Sequence, residues 1–124
     1  MKRKTLILFV LLISLFISFG CSPGISINKP PVITSLPITI AKIEVQYYYN
    51  VLATDPNGDS LIYSLLAYPD GMTINSSTGL ITWIPTENQV RDYEVEVEVS
   101  DGELSVTQDF TVTVSLQFNY VNVI

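Results

Sequence analysis

The chain has 124 residues, twelve acidic and six basic, with no histidine and one cysteine. That inventory excludes an internal disulfide framework and the usual histidine general base. It also argues against nucleic acid as a partner. Beyond residue 20, three basic residues (Lys29, Lys42 and Arg91) stand against twelve acidic ones, a net of −9, whereas phosphate recognition needs clustered Lys and Arg.

Lys2, Arg3 and Lys4 open the chain, and an apolar run follows from Leu6 to Phe19. The run is shorter than the ~20 residues a membrane span needs. It has the length of a signal h-region, about 7–15 residues. Gly20-Cys21 at its end resembles a bacterial lipoprotein signal, in which the thiol is lipidated and the chain is cut before it. Ser18 and Phe19 depart from the aliphatic and small residues such signals carry. A plain secretory signal and an uncleaved N-terminal anchor are the other readings. The expected organisation is a signal peptide over 1–20, a polar Pro-rich tether over 21–31, a domain over 32–116 and a tail over 117–124. The mature protein is then a membrane-anchored lipoprotein of the bacterial cell envelope, facing away from the cytoplasm. About one hundred residues remain for one domain with one core.

From Pro31 onward the apolar pattern has period two. Tyr47, Tyr49, Val51 and Ala53 form one strand face, and Leu61, Tyr63 and Leu65 form another. Asp55-Pro56-Asn57-Gly58-Asp59 is the turn between them. Ser76–Gly79 turns into Leu80–Ile84, with Ile81 and Trp83 inward and Pro85 closing the strand. Val95, Val97 and Val99 alternate with Glu94, Glu96 and Glu98, so the valines face a core and the glutamates face water. Asp101-Gly102 supplies a hairpin turn, and Phe110, Val112 and Val114 alternate with Asp109, Thr111 and Thr113. No segment after the signal has a helical period. Short strands with regular turns predict an all-β, antiparallel Greek-key sandwich.

Glu94, Glu96 and Glu98 read as a solvated strand face rather than a metal comb. Within Tyr47-Tyr48-Tyr49 the expectation is two buried rings and one exposed ring, and Trp83 is expected as a core plug. Leu116, Phe118 and Tyr120 continue the alternation until Val121 and Val123 break it. The tail reads equally as an overlong last strand, an exposed sticky end or the stump of a longer array.

Four stretches together resemble the dystroglycan-type cadherin-like and putative Ig modules of bacterial surface proteins. They are Pro-Val-Ile-Thr-Ser at 31–35, Tyr-Tyr-Asn-Val-Leu-Ala-Thr-Asp-Pro-Asn-Gly-Asp-Ser-Leu-Ile-Tyr-Ser-Leu at 48–65, Gly-Met-Thr-Ile-Asn-Ser-Ser-Thr-Gly-Leu-Ile-Thr-Trp-Ile-Pro-Thr at 71–86, and Tyr-Glu-Val-Glu-Val-Glu-Val-Ser-Asp-Gly at 93–102. The resemblance implies an Ig-like or cadherin-like sandwich of about seven strands, with adhesive, spacer or ligand-binding roles outside the cell. It also implies a calcium option. Calcium takes six to eight oxygens, and Asp55 and Asp101 match positions that calcium ligands occupy in cadherin modules. Asn57 and Asp59 add oxygens on the same loop as Asp55. The alternative is that Asp55–Asp59 is only a turn. Glu87 lies near the place of an acidic cadherin motif that is absent here, and Asn28-Lys29-Pro30-Pro31 only faintly echoes the cadherin linker.

No phosphate cradle, zinc spacing or histidine suggests an enzyme. Asp55 with Asp101 is the one carboxylate pair to consider for glycoside cleavage, on a sandwich too small for an evident substrate cleft. Three roles remain: a lipid-anchored surface adhesion module that binds calcium weakly, a structural spacer or fragment of a longer surface protein, and a carbohydrate-binding accessory domain. The partners implied are a membrane through the Cys21 lipid, and other surface proteins or polysaccharide.

Overall fold

The computed structural model describes residues 24–118. Residues 1–23 and 119–124, which include the expected signal segment, Cys21 and most of the tail, lie outside the described residues. Nine short strands follow in chain order: β1 (Val32–Ile33), β2 (Ile40–Lys42), β3 (Tyr47–Asn50), β4 (Ala53–Thr54), β5 (Ile62–Ala67), β6 (Thr73–Ile74), β7 (Leu80–Trp83), β8 (Asp92–Ser100) and β9 (Ser105–Ser115). A 3-10 turn, Glu87–Gln89, precedes β8.

One layer is a four-stranded sheet in the order β2-β9-β8-β5. The other is β3-β7-β6, with β1 paired to β4 just beyond β3. β4 continues β3 after two residues. β1 and β2 are two parts of one leading segment that changes sheet, since β1 pairs antiparallel with β4 while β2 pairs parallel with β9. Counted this way, the nine segments make the seven strands of an Ig-like sandwich.

The alternation builds the core as expected. Val95, Val97 and Val99 on β8 and Val112 on β9 are at most 1% exposed, and Phe110 and Val114 are buried beside them. From the facing layer come Tyr47, Tyr49, Val51, Ile81 and Trp83, all buried. Tyr48, between the two buried tyrosines, is 55% exposed.

Aromatic rings pair both across the layers and within one of them. Trp83 meets Tyr93 edge-to-face at 5.4 Å and Tyr47 at 6.4 Å, and Tyr49 meets Phe110 at 5.6 Å. Such pairs add to the burial of their area. The buried polar handles of Trp83 and Tyr47 are satisfied: the indole N–H of Trp83 donates to the Asp70 carbonyl at 3.1 Å, and the Tyr47 hydroxyl donates to the Ile38 carbonyl at 2.6 Å. Burial, and secondarily the neighbouring Tyr49, push the Tyr47 phenol well above its ordinary pKa, so it remains a neutral donor.

The turn before β7 depends on Gly79. Its φ is +74°, and a Cβ there would lie 2.5 Å from the Val51 carbonyl oxygen and 2.9 Å from the Tyr63 ring. The close approach lets Val51 N–H donate to the Gly79 carbonyl at 3.0 Å, tying β3 to the turn.

β9 ends at Ser115, and Leu116 and Phe118 are 50% and 80% exposed.

Candidate functional site

β8 and β9 form a hairpin whose loop, Asp101–Leu104, stands at the same end of the sandwich as the Asp55–Asp59 loop. The register explains this. β5 pairs with β8 so that Ile62 lies opposite Ser100, which brings the residues before β5 beside those after β8. Each loop is shaped by its leading aspartate. Asp55 Oδ1 accepts from the backbone N–H of Asn57 at 2.7 Å and of Asp59 at 3.1 Å. Asp101 Oδ1 accepts from the N–H groups of Glu103 and Leu104, both at 2.7 Å. Gly58, at φ +84°, supplies the left-handed step that returns the first loop.

These turn bonds occupy Oδ1 of each aspartate. One carboxylate oxygen from each of Asp55, Asp59 and Asp101 lies within 4.8 Å of the others. Three of the four residues expected as cation ligands are therefore brought together across 46 positions of sequence. The fourth, Asn57, turns elsewhere: its Oδ1 accepts from Lys29 N–H at 2.9 Å, and its Nδ2 donates to Ser26 Oγ and the Ile27 carbonyl. It fastens the N-terminal segment to the loop.

That segment supplies a residue that sequence reasoning did not assign to the site. Asn28 Nδ2 donates to Asp101 Oδ2 at 3.0 Å and to Glu103 Oε2 at 3.2 Å. The described part of the expected tether is thus docked on the loops through Ser26, Ile27, Asn28 and Lys29. The faint linker echo in Asn28-Lys29-Pro30-Pro31 was the only available signal. Glu87, the other acidic residue singled out, lies on the 3-10 turn at the opposite end of β8 and takes no part.

Two atoms in this cluster are buried without a hydrogen-bond partner among the described residues: Asp55 Oδ2 and Asn28 Oδ1. A buried oxygen left unpaired carries a desolvation cost of about 1–3 kcal/mol. Three carboxylates this close also repel one another. The loop N–H groups of Leu104 and Glu103 hold the Asp101 carboxyl below its ordinary pKa, with help from Asn28, so it stays charged in the cluster. An all-oxygen set of this kind, from carboxylates and an amide carbonyl, suits a hard cation such as calcium. Asp55, Asp59, Asp101 and Asn28 are the residues that could hold it.

The family described as "Putative Ig domain" matches residues 30–115. Integrin beta-like protein A of Dictyostelium discoideum is 30% identical over 90 residues, 68% of this chain but 5% of that protein. Among solved structures, an endo-fucoidan hydrolase of glycoside hydrolase family 107 superposes with a TM-score of 0.61 at 23% identity, over 71% of this chain and 14% of that one. Drosophila N-cadherin EC1-4 superposes at 0.57 and 19% identity, over 71% and 25%. Human Protocadherin-24 EC1-2 does so at 0.55 and 19%, over 72% and 44%. At these identities the structural matches establish a shared fold, and the chain spans only a minor part of each relative.

Proposed function

We propose, from the premise that the chain belongs to the putative Ig domain family, that it is a calcium-binding adhesion module of the cell surface, held to a membrane by lipid on Cys21. The observation that carries the calcium reading is the pair of buried, partnerless oxygens, Asp55 Oδ2 and Asn28 Oδ1, beside three converging carboxylates. A bound dication offsets the repulsion and gives both oxygens a partner. Adhesion is supported by the cadherin-like fold and by the integrin beta-like relative. A binding role rather than catalysis is supported by the lack of histidine and by the fixed turn bonds of Asp55 and Asp101, the carboxylate pair considered for glycoside cleavage.

The Cys21 anchor rests on the Gly20-Cys21 junction after a short basic-then-apolar leader. Asn28 lies seven positions beyond Cys21, a reach of at most about 25 Å. The acidic loops would then face the membrane and the Trp83 end would face outward.

The test is thermal melting of the full chain in mild detergent, with millimolar calcium, with magnesium and with chelator. Binding to the folded state alone adds RT ln(1 + [Ca²⁺]/Kd), about 2.7 kcal/mol at a hundredfold excess over Kd. The expected result is a calcium-specific rise that disappears in Asp55→Asn, which keeps the turn acceptor and removes the charge. Equal melts in all three conditions would reject the cation site and leave a spacer. Mass spectrometry of the mature N-terminus checks the anchor separately: an unmodified Cys21, or a cut elsewhere, rejects it.

A further inference from the structure

At the end of the sandwich away from the acidic loops, the β5–β6 and β7–β8 connections enclose a cleft lined by Tyr68, Asp70, Asn88, Gln89, Arg91 and Tyr93. Arg91 immediately precedes β8 and Asp101 immediately follows it. The nine residues of β8 place this cleft about 30 Å from the acidic loops.

Its floor is fixed by the core. The Asp70 carbonyl accepts from the Trp83 indole N–H and from Gln89 Nε2, both at 3.1 Å. Gln89 Oε1 accepts from Thr86 N–H at 2.9 Å. Tyr93 is held edge-to-face on Trp83, and the Arg91 guanidinium carbon lies 4.7 Å above the Tyr93 ring. This cation–π contact holds the guanidinium over the ring, and a guanidinium has more N–H donors than such a contact engages.

The groups left for a ligand are the Tyr68 ring, 53% exposed, the Asp70 carboxylate, the Asn88 amide and the Arg91 guanidinium. Among the described residues, none of these side chains has an intramolecular hydrogen bond or ion pair. An anion entering the cleft would meet Asp70, and a cation would meet Arg91. A ligand dense in neutral hydroxyls can accept from Arg91, donate to Asp70 and do both with Asn88. The exposed phenol ring offers a flat apolar face to the C–H side of a pyranose. We propose that this cleft binds a neutral saccharide unit, stacked on Tyr68 and hydrogen-bonded by Arg91, Asp70 and Asn88. One ring and a few solvent-facing hydrogen bonds give weak binding, with Kd on the order of millimolar. The site is independent of any cation at the other end.

The experiment is saturation-transfer NMR on the full chain in an oxyethylene detergent, which carries no sugar. The probes are cellohexaose, mannohexaose, β-1,4-galactohexaose and maltohexaose at millimolar concentration, with hexagalacturonate as the charged comparison. At least one neutral hexasaccharide is expected to receive saturation on its ring C–H protons. The effect should fall about tenfold in Tyr68→Ala and in Arg91→Ala and persist in Tyr48→Ala, an exposed ring on the facing layer. Melting of Tyr68→Ala at the wild-type temperature shows that its loss is not unfolding. No transfer to any of the four neutral probes would overturn the proposal. So would transfer to hexagalacturonate alone, or loss of transfer in Tyr48→Ala.

Discussion

At the start of β8, Tyr93 lies edge-to-face on a Trp83 that is 1% exposed, and Arg91 caps the stack. Just past the end of the same strand, Asp101 stands among Asp55, Asp59 and Asn28, with two buried oxygens lacking partners. The first end is held by area removed from water, a term that needs no charge to be neutralised or titrated. The second is held by backbone turn bonds around like charges, so its stability is conditional on what neutralises them. One strand thus joins an end that is settled by its own side chains to an end where like charges meet and two buried oxygens have no partner among the described residues.

The largest effect is expected at the aromatic end. Trp83→Ala removes the ring that contacts Tyr47 and Tyr93 together with the hydrogen bond to Asp70, and should cost about 3–5 kcal/mol from a total of about 5–15. Denaturant melts with and without calcium should give the same loss. A loss below about 1 kcal/mol, or one that calcium reverses, would erase the contrast between the ends.

A smaller loss is expected for Gly79→Ala, where backbone rather than side chain is at issue. The left-handed conformation alone costs about 1–2 kcal/mol for a residue with a Cβ, and the Val51 carbonyl at 2.5 Å adds to it. The midpoint of denaturation should fall with the m-value unchanged. An unshifted midpoint would mean that β3 and the turn separate easily and that Gly79 is not needed for their contact.

The smallest effect sharpens the other end. The folded-state pKa of Asp101 is lowered from 3.8 by the Leu104 and Glu103 N–H groups. Its contribution to stability is therefore present above about 3.8 and is lost as pH falls through the depressed folded value. Asp101→Asn keeps a turn acceptor but does not titrate. In chelator, the wild type should lose more stability than the variant on going from pH 6 to pH 2. Parallel acid limbs would show that Asp101 contributes nothing through its charge.

Much of the candidate site was legible, but piece by piece. Asp55-Pro56-Asn57-Gly58-Asp59 and Asp101-Gly102 announce turns because Asp and Asn oxygens accept from N–H groups two to four residues on, an interaction that local sequence contains entirely. The same logic could not assign Asn57. Whether its amide faces a cation or a neighbouring segment depends on where residues 26–29 run, and they lie about thirty positions away. Asn28 is hidden for the same reason: in a Pro-rich stretch it reads as tether, and only its contacts with Asp101 and Glu103 make it part of a site. The cleft at the other end left no local pattern, because Tyr68, Asn88 and Arg91 belong to two separate connections.

By itself the sequence determined which residues of the long strands face the core. Strand geometry turns Val95, Val97 and Val99 to one side and Glu94, Glu96 and Glu98 to the other, whatever the partner strand. That was enough for an all-β sandwich, for Trp83 in its core and for one exposed ring in Tyr47-Tyr48-Tyr49. The tertiary structure decided which turns share an end, how the leading segment divides between the two sheets as β1 and β2, and which oxygens are left buried without a partner. Those outcomes depend on strand order and register, which are set by the packing of the whole core and are not encoded in any one segment.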